Sequence, residues 1–297
     1  MTVVTGASGF LGRHVVHALQ KNNSEFVCWV RSRRSLEDSE KKRIQQINFL
    51  SVPEMKKALQ GVEQVLHLAG QINGRTEELE ETNLGLTKRL VEASKRAGVR
   101  RILFMSSAAV HLRKGPYGKT KWEAEEFLKS SGIPYLIFRP ALIYGPGDSK
   151  NVAVMEKLIK CLPLLPLVGG GKFLIQPVYM EDVVTVLMCA LESPVVNQSY
   201  YLAGPSQISL KEMLEILAAS LERRVKFFPL PLKPVQSFAR LWAAVFPGTR
   251  LPVKQILELD QHSAFDIQET RKDFGFSPRT FREGVSAMRN SEALCVG

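Results

Sequence analysis

The chain has 297 residues, 45% of them hydrophobic and 23% charged, a length and balance that suit one large domain or two interlocked ones and exclude a largely disordered chain. Its longest apolar stretches, 161–171 and 238–246, are far shorter than the roughly 20 residues of a membrane-spanning helix. With 40 Lys and Arg against 29 Asp and Glu the net charge is +11, which favours anionic ligands, but no recognition motif accompanies it and no specific nucleic acid partner is expected.

The first 140 residues alternate short β-branched runs with longer amphipathic segments, the pattern of βαβ units in a parallel sheet. Strands are predicted at 2–5, 26–30, 44–49, 65–68, 102–105 and 135–138. Leu11, Val15, Val16 and Leu19 form one helix face after the first strand, and Leu86, Leu90, Val91 and Ser94 another after the fourth. Beyond Arg139-Pro140, Gly and Pro become frequent and short strands at 199–202 and 225–228 interrupt the helices.

The first strand leads into Gly6-Ala7-Ser8-Gly9-Phe10-Leu11-Gly12, and a helix pattern starts at once. Glycines at 6, 9 and 12 permit a sharp turn, close approach of backbone N–H groups to a pyrophosphate, and tight packing of a helix whose N-terminus adds partial positive charge. A dinucleotide is expected here, lined by Gly6, Ser8, Gly9, Phe10, Leu11 and Gly12. After the second strand, where an NAD site offers a carboxylate to the ribose, the chain reads Val30-Arg31-Ser32-Arg33-Arg34 and its first acid is Glu37. Arg31, supported by Arg33 and Arg34, points to the 2′-phosphate of NADP, with NAD as the alternative. The fold class expected is α/β: a Rossmann doubly wound parallel sheet with a smaller, discontinuous C-terminal substrate lobe. Residues 1–150 are assigned to the NAD(P)-binding domain and 151–297 mainly to the lobe, with the chain around 178–205 returning to the first domain.

The fifth strand ends in Ser106-Ser107-Ala108-Ala109-Val110, and ten residues past Ser107 comes Tyr117-Gly118-Lys119-Thr120-Lys121. Tyr117 and Lys121, four apart, share a helix face. A phenol near pKa 10 is a poor base at neutral pH. Lys121, together with the positive charge of an oxidised nicotinamide, is expected to lower the Tyr117 pKa; Lys121 is also expected to orient the nicotinamide ribose, Tyr117 to act as general acid/base, and Ser107 to hold the substrate oxygen. Cysteines at 28, 161, 189 and 295 neither pair as C-x-x-C nor cluster with histidines, so neither metal nor disulfide is expected.

Together the glycine loop, the strand-end serine and the Tyr-Lys pair resemble the extended short-chain dehydrogenases/reductases, often called the NAD-dependent epimerase/dehydratase family, over nearly the whole chain. His67-Leu68-Ala69-Gly70 resembles the family's strand-four cofactor motif, Asn83-Leu84-Gly85-Leu86-Thr87 the following helix start, and Arg139-Pro140 through Tyr144-Gly145-Pro146-Gly147 the nicotinamide-side loop. The resemblance implies that Leu68, Ala69, Gly70, Asn83, Pro140 and Ile143 line the cofactor. The run Gln176-Pro177-Val178-Tyr179 also resembles a branch related to the accessory nucleotide-binding subunit of respiratory complex I. These likenesses imply an NAD(P)-dependent oxidoreductase moving a hydride at a carbinol or ketone carbon. A nucleotide-sugar epimerase or dehydratase is the second reading and a non-catalytic dinucleotide-binding structural or assembly protein the third. Ile175 stands where nucleotide-sugar members carry an arginine for the diphosphate, which turns the expected substrate toward a less anionic, more apolar molecule.

Residues 211–255 hold eight Lys or Arg against three Glu, and Val235, Phe238, Leu241, Trp242 and Val245 share a helix face. That segment reads as a packed surface helix or, alternatively, a peripheral membrane contact. His14 and His17 are expected at the surface, Phe49 beside the adenine, and Glu78, Glu80 and Glu81 in a solvated first turn. The partner expected is a small-molecule substrate, with a homodimer as an option and no transmembrane segment. The start at Met1-Thr2, without a signal-peptide pattern, reads as cytoplasmic.

Overall fold

A computed structural model describes residues 1–32, 43–111, 115–235, 237 and 264–294. Arg33, Arg34, Glu37, Cys295 and the helix face expected across 238–245 lie outside the described residues. The chain divides into two compact units.

The first unit comprises Met1–Ala141, Met180–Leu202 and Asp266–Ser277. Its parallel sheet runs β3 (Ile44–Gln46), β2 (Phe26–Val30), β1 (Thr2–Thr5), β4 (Gln64–His67), β5 (Arg101–Met105), β6 (Tyr135–Pro140) and an outer strand, Gln198–Leu202. Val3 and Val4 point to opposite faces and are both buried, so the sheet is covered on both sides, and its strands read as near-continuous apolar runs for that reason. On one side Val3 shares a core with Met55 of α2 (Val52–Ala58), Leu90 of α4 (Leu86–Ala97), which follows the short α3 (Thr76–Leu79), and Ala124 of α5 (Gly115–Ser130). Helix α1 (Phe10–Lys21) buries Leu11, Val15, Val16 and Leu19, the face its periodicity required. Because β2 and β4 flank β1 on opposite sides, the strand order reverses at β1, and open α/β sheets bind ligands at the carboxyl ends of such a switch point.

Most strand ends fall within two residues of the sequence expectation, and two boundaries differ by more. Strand β3 stops at Gln46 instead of 49, because the Asn48 side chain accepts from Leu50 N and its backbone carbonyl from Ser51 N, turning the chain into α2. Phe49 therefore sits in a turn, edge-on to Trp29 at 6.3 Å. The first unit also ends at Ala141 and takes back Met180–Leu202 plus the late segment Asp266–Ser277. Helix Gln268–Phe274 belongs there because Phe274 packs its ring 4.8 Å from Tyr200, whose hydroxyl donates to Asp273 Oδ2 at 2.5 Å, while Thr270 Oγ1 donates to Tyr201 O at 2.8 Å. Arg101 ties down helix Met180–Glu192, donating to the carbonyls of Leu191 and Ser193 at its carboxyl end, where a cation is favoured.

The second unit comprises Leu142–Tyr179, Ala203–Phe265 and Pro278–Gly297. Here β7 (Ile143–Tyr144) pairs with Val178–Tyr179, and β8 (Leu164–Val168) pairs in parallel with Lys226–Leu230. Helices α6 (Val152–Cys161), Leu210–Ser220 and Phe281–Leu294 pack around Tyr144, Leu165, Leu167, Met213 and Leu217. Gly284 allows the closest of these approaches, since a Cβ there would lie 2.0 Å from Tyr144 Oη. Among the described residues no helix is long and apolar enough to cross a membrane.

Candidate active site

The glycine loop turns at Gly6, whose φ is +74° and whose absent Cβ would lie 2.5 Å from Ala69 N. A Cβ on Gly12 would meet Gly6 O at 2.1 Å, so α1 rests directly on the loop backbone. Gly9, the N-cap of α1, supplies no side-chain cap and the first turn holds no acid, so its N–H groups are left to an external acceptor. This cradle, which side chains would fill, fits a dinucleotide pyrophosphate. Ser8 and Gly9 are exposed, Phe10 is half-buried and Leu11 is buried. Arg31 is exposed immediately after β2, beside the strand that feeds the loop.

Behind the loop a buried polar chain links three elements. Thr87 Oγ1 donates its one proton to Asn83 O at 2.6 Å, so His67 Nε2, 3.0 Å from that oxygen, must be the donor to it. His67 Nδ1 then accepts from Thr5 Oγ1 at 2.6 Å; the tautomer follows from the network. Burial, with the nearby Lys121 charge adding to it, lowers the His67 pKa from 6.5 to about 3, and the imidazole is neutral. Asn83 sits in a π-helical turn, Glu80–Gly85, that the periodicity did not signal. Its Oδ1 accepts from Gln71 N at 2.8 Å while its Nδ2 donates to Gln71 O at 2.9 Å and Thr120 Oγ1 at 3.3 Å. Asn83, expected against the cofactor, is thus fully buried and clamps the loop after β4. Of the acids around this turn, Glu78 pairs with Arg75 and Glu81 with Arg89.

Ser107 follows β5, its hydroxyl accepting from Ala109 N at 3.2 Å, and Tyr117 opens α5. Gly118 lets α5 come close to the same segment: a Cβ there would lie 2.7 Å from Ala109 O. One turn on, Lys121 is 3% exposed; its ammonium donates to Met105 O at 2.9 Å and lies 4.8 Å above the Phe104 ring. A Cβ on Gly70 would be 2.8 Å from Lys121 Nζ and 3.3 Å from Asn83 Oδ1, so these three groups converge. Burial lowers the Lys121 pKa to about 8, opposed by Glu125. The expected depression of the Tyr117 pKa by Lys121 is not found. Burial raises it, with hydrogen bonding by Ser107 working in the opposite direction, and the ammonium is directed at a backbone carbonyl.

Leu68 and Ala69 are half-buried and Gly70 exposed beyond β4; Pro140 is buried at the end of β6, and Ile143 belongs to the second unit. His14 is half-buried against Phe10 and His17 is exposed. The Thr5–His67–Thr87 chain and the buried Glu125, held by Arg139 at 3.0 and 2.5 Å, escaped the sequence reading. The available signal was polar residues on otherwise buried faces of β1, α4 and α5.

A doubly wound sheet carrying a glycine cradle, a strand-end serine and a Tyr-x-x-x-Lys helix is the architecture of the extended short-chain dehydrogenases/reductases. A family model, "NAD dependent epimerase/dehydratase family", matches residues 2–203, and the chain belongs to that family. It is 24% identical, over 98% of its length and 96% of the relative's, to 4-hydroxy-2-methyl-3-oxo-4-farnesyl-3,4-dihydroquinoline-1-oxide ketoreductase of Stigmatella aurantiaca. It is 26% identical, over 89% of its length and 69% of the relative's, to the mitochondrial NADH dehydrogenase (ubiquinone) 1 alpha subcomplex subunit 9 of Arabidopsis thaliana. The crystal structure of a UDP-glucose 4-epimerase with UDP-glucose from Thermotoga maritima matches with a TM-score of 0.76 at 19% identity, covering 100% of this chain and 99% of that one, a likeness of fold.

Proposed function

We propose that the chain is an NADP-dependent oxidoreductase that reduces the ketone of a largely apolar substrate to a carbinol. The observation that carries this reading is that Tyr117 and, one helical turn on, the buried Lys121 ammonium anchored on Met105 O lie on α5 in the same unit as the glycine cradle. Held by the glycine cradle, Arg31 and Lys121, a reduced nicotinamide dinucleotide would supply the hydride for the carbonyl carbon. Tyr117, protonated at neutral pH because burial raises its pKa, gives its proton to the carbonyl oxygen and regains one from solvent. Ser107 donates a hydrogen bond to the same oxygen, and Lys121 holds the ribose. Arg31 supports NADP over NAD, since a guanidinium pairs with the 2′-phosphate.

The apolar substrate is supported by Ile175, which packs against the second unit's core instead of offering a cation, and by the similar ketoreductase, whose name carries a farnesyl group. Incubation with NADPH and a panel of ketones, following oxidation of the cofactor, tests the proposal. Cofactor consumed mole for mole with carbinol formed supports it. Interconversion of nucleotide sugars without net oxidation supports an epimerase, and cofactor bound without turnover of any kind supports a non-catalytic structural or assembly role.

A further inference from the structure

The two-stranded ladder of the second unit has an unusual outer face. One side of β8 buries Leu165 and Leu167 in the core. On the opposite side Leu164 is 54% exposed and, two residues on, Pro166 is exposed; their ladder partners on Lys226–Leu230 are Lys226 and Phe228, the latter 52% exposed. A solvated outer face normally carries polar residues. Further exposed apolar residues precede β8 in the chain: Val154 and Leu158, four apart on α6, and Leu162, which caps that helix in an extended conformation two residues before Leu164.

Cations surround this surface. Lys157, Lys160, Arg223, Arg224 and Lys226 are all exposed, and Arg223 Nη2 donates to Lys160 O at 3.2 Å, joining the two cationic groups. Over 152–168 and 222–230 the acids are Glu156, buried and paired with Arg289, and Glu222. Apolar tips rimmed by long basic side chains, with almost no opposing acid, are complementary to a bilayer interface, where acyl chains take the tips and anionic headgroups the cations.

We propose that this face docks the protein on an anionic lipid surface, with Leu164 and Phe228 entering the headgroup–acyl boundary and Lys157, Lys160, Arg223, Arg224 and Lys226 contacting the headgroups. Salt sensitivity follows, because exposed charges are screened.

Co-sedimentation of the full chain with phosphatidylcholine vesicles, with and without phosphatidylglycerol, tests it. The expected result is at least about tenfold stronger partitioning onto the anionic vesicles, falling as salt rises. Lys157→Glu with Lys226→Glu should lower that partitioning by a further factor of about ten or more, and Leu164→Ser with Phe228→Ser should abolish it. All four side chains are exposed, so unchanged thermal melts are expected; should the double variants melt early, the Phe228→Trp variant reads insertion directly through a blue shift of its added emission on anionic vesicles. No vesicle binding, binding indifferent to phosphatidylglycerol, or an emission that does not shift overturns the proposal. So does a concentration-dependent dimer lost in the Leu164→Ser, Phe228→Ser variant, which would make the face a contact between copies.

Discussion

Tyr117→Phe removes one oxygen from a half-buried ring and leaves Lys121, whose ammonium is anchored on Met105 O, in place. Turnover should fall by on the order of 10² to 10⁴ while calorimetric affinity for the dinucleotide stays within about twofold; Lys121→Ala should damage both. Wild-type turnover in the Phe variant removes Tyr117 from the chemistry. His67 makes a separate prediction about acid stability. Its folded pKa, about 3, lies below the unfolded 6.5, so the native state binds fewer protons between those values. The stability it contributes is complete above pH 6.5 and is lost as pH falls toward about 3, at up to about 1.4 kcal/mol per pH unit. Denaturant unfolding from pH 7 to 4 should therefore show a slope steeper by up to one proton in wild type than in His67→Gln. Equal slopes would mean that the imidazole is not held neutral.

Among the elements, the loop–helix junction and α5 tolerate least. Gly12→Ala places a methyl 2.1 Å from Gly6 O and 2.8 Å from Ala7 Cα, both backbone atoms that cannot swing aside. The expected cost is about 1–3 kcal/mol of stability, with loss of dinucleotide binding even in the folded fraction, measurable by thermal melts with and without cofactor. Glu125→Ala strands the part-buried Arg139 guanidinium and should cost roughly 3 kcal/mol. It also removes the one group that opposes the burial of Lys121, so the Lys121 pKa should drop further below 8 and the alkaline limb of cofactor binding should move to lower pH. A melt and a binding profile that match wild type would show the pair to be ornamental. The helix faces of α1 and α4 were legible because 3.6-residue periodicity is local, and Tyr117 and Lys121 were legible as a pair for the same reason. The π-turn at Glu80–Gly85 was not, since what holds it is Asn83 reaching Gln71 and Thr120, contacts that no window of neighbouring residues contains.

For the molecule as a whole, cofactor choice is the sharpest test of the family assignment's finer reading. NADPH should bind more tightly than NADH, and Arg31→Ala should cost NADPH roughly 1.5–3 kcal/mol while leaving NADH unchanged, as titration calorimetry can read. Equal affinities in the unsubstituted protein would mean that the basic stretch after β2 is only a solvated loop. The membrane-facing ladder and the apolar substrate are separable claims, because vesicle binding is measured without turnover and turnover without vesicles.

By itself the sequence determined the parallel sheet, the glycine cradle at its switch point, the faces of the first helices and the family, because each is written in residues within a few turns of one another. Only the tertiary structure decided which polar groups meet. His67 reaches Thr5 across 62 positions and Lys121 reaches Met105 O across 16, and the helix Gln268–Phe274 returns to the first unit through Tyr200 across 73. The direction of the Tyr117 shift belongs to the same class. Spacing to Lys121, with the positive charge of an oxidised nicotinamide, argued for a depressed pKa, whereas the desolvation that raises it is set by everything packed around the ring, which no pairwise spacing along the chain can express.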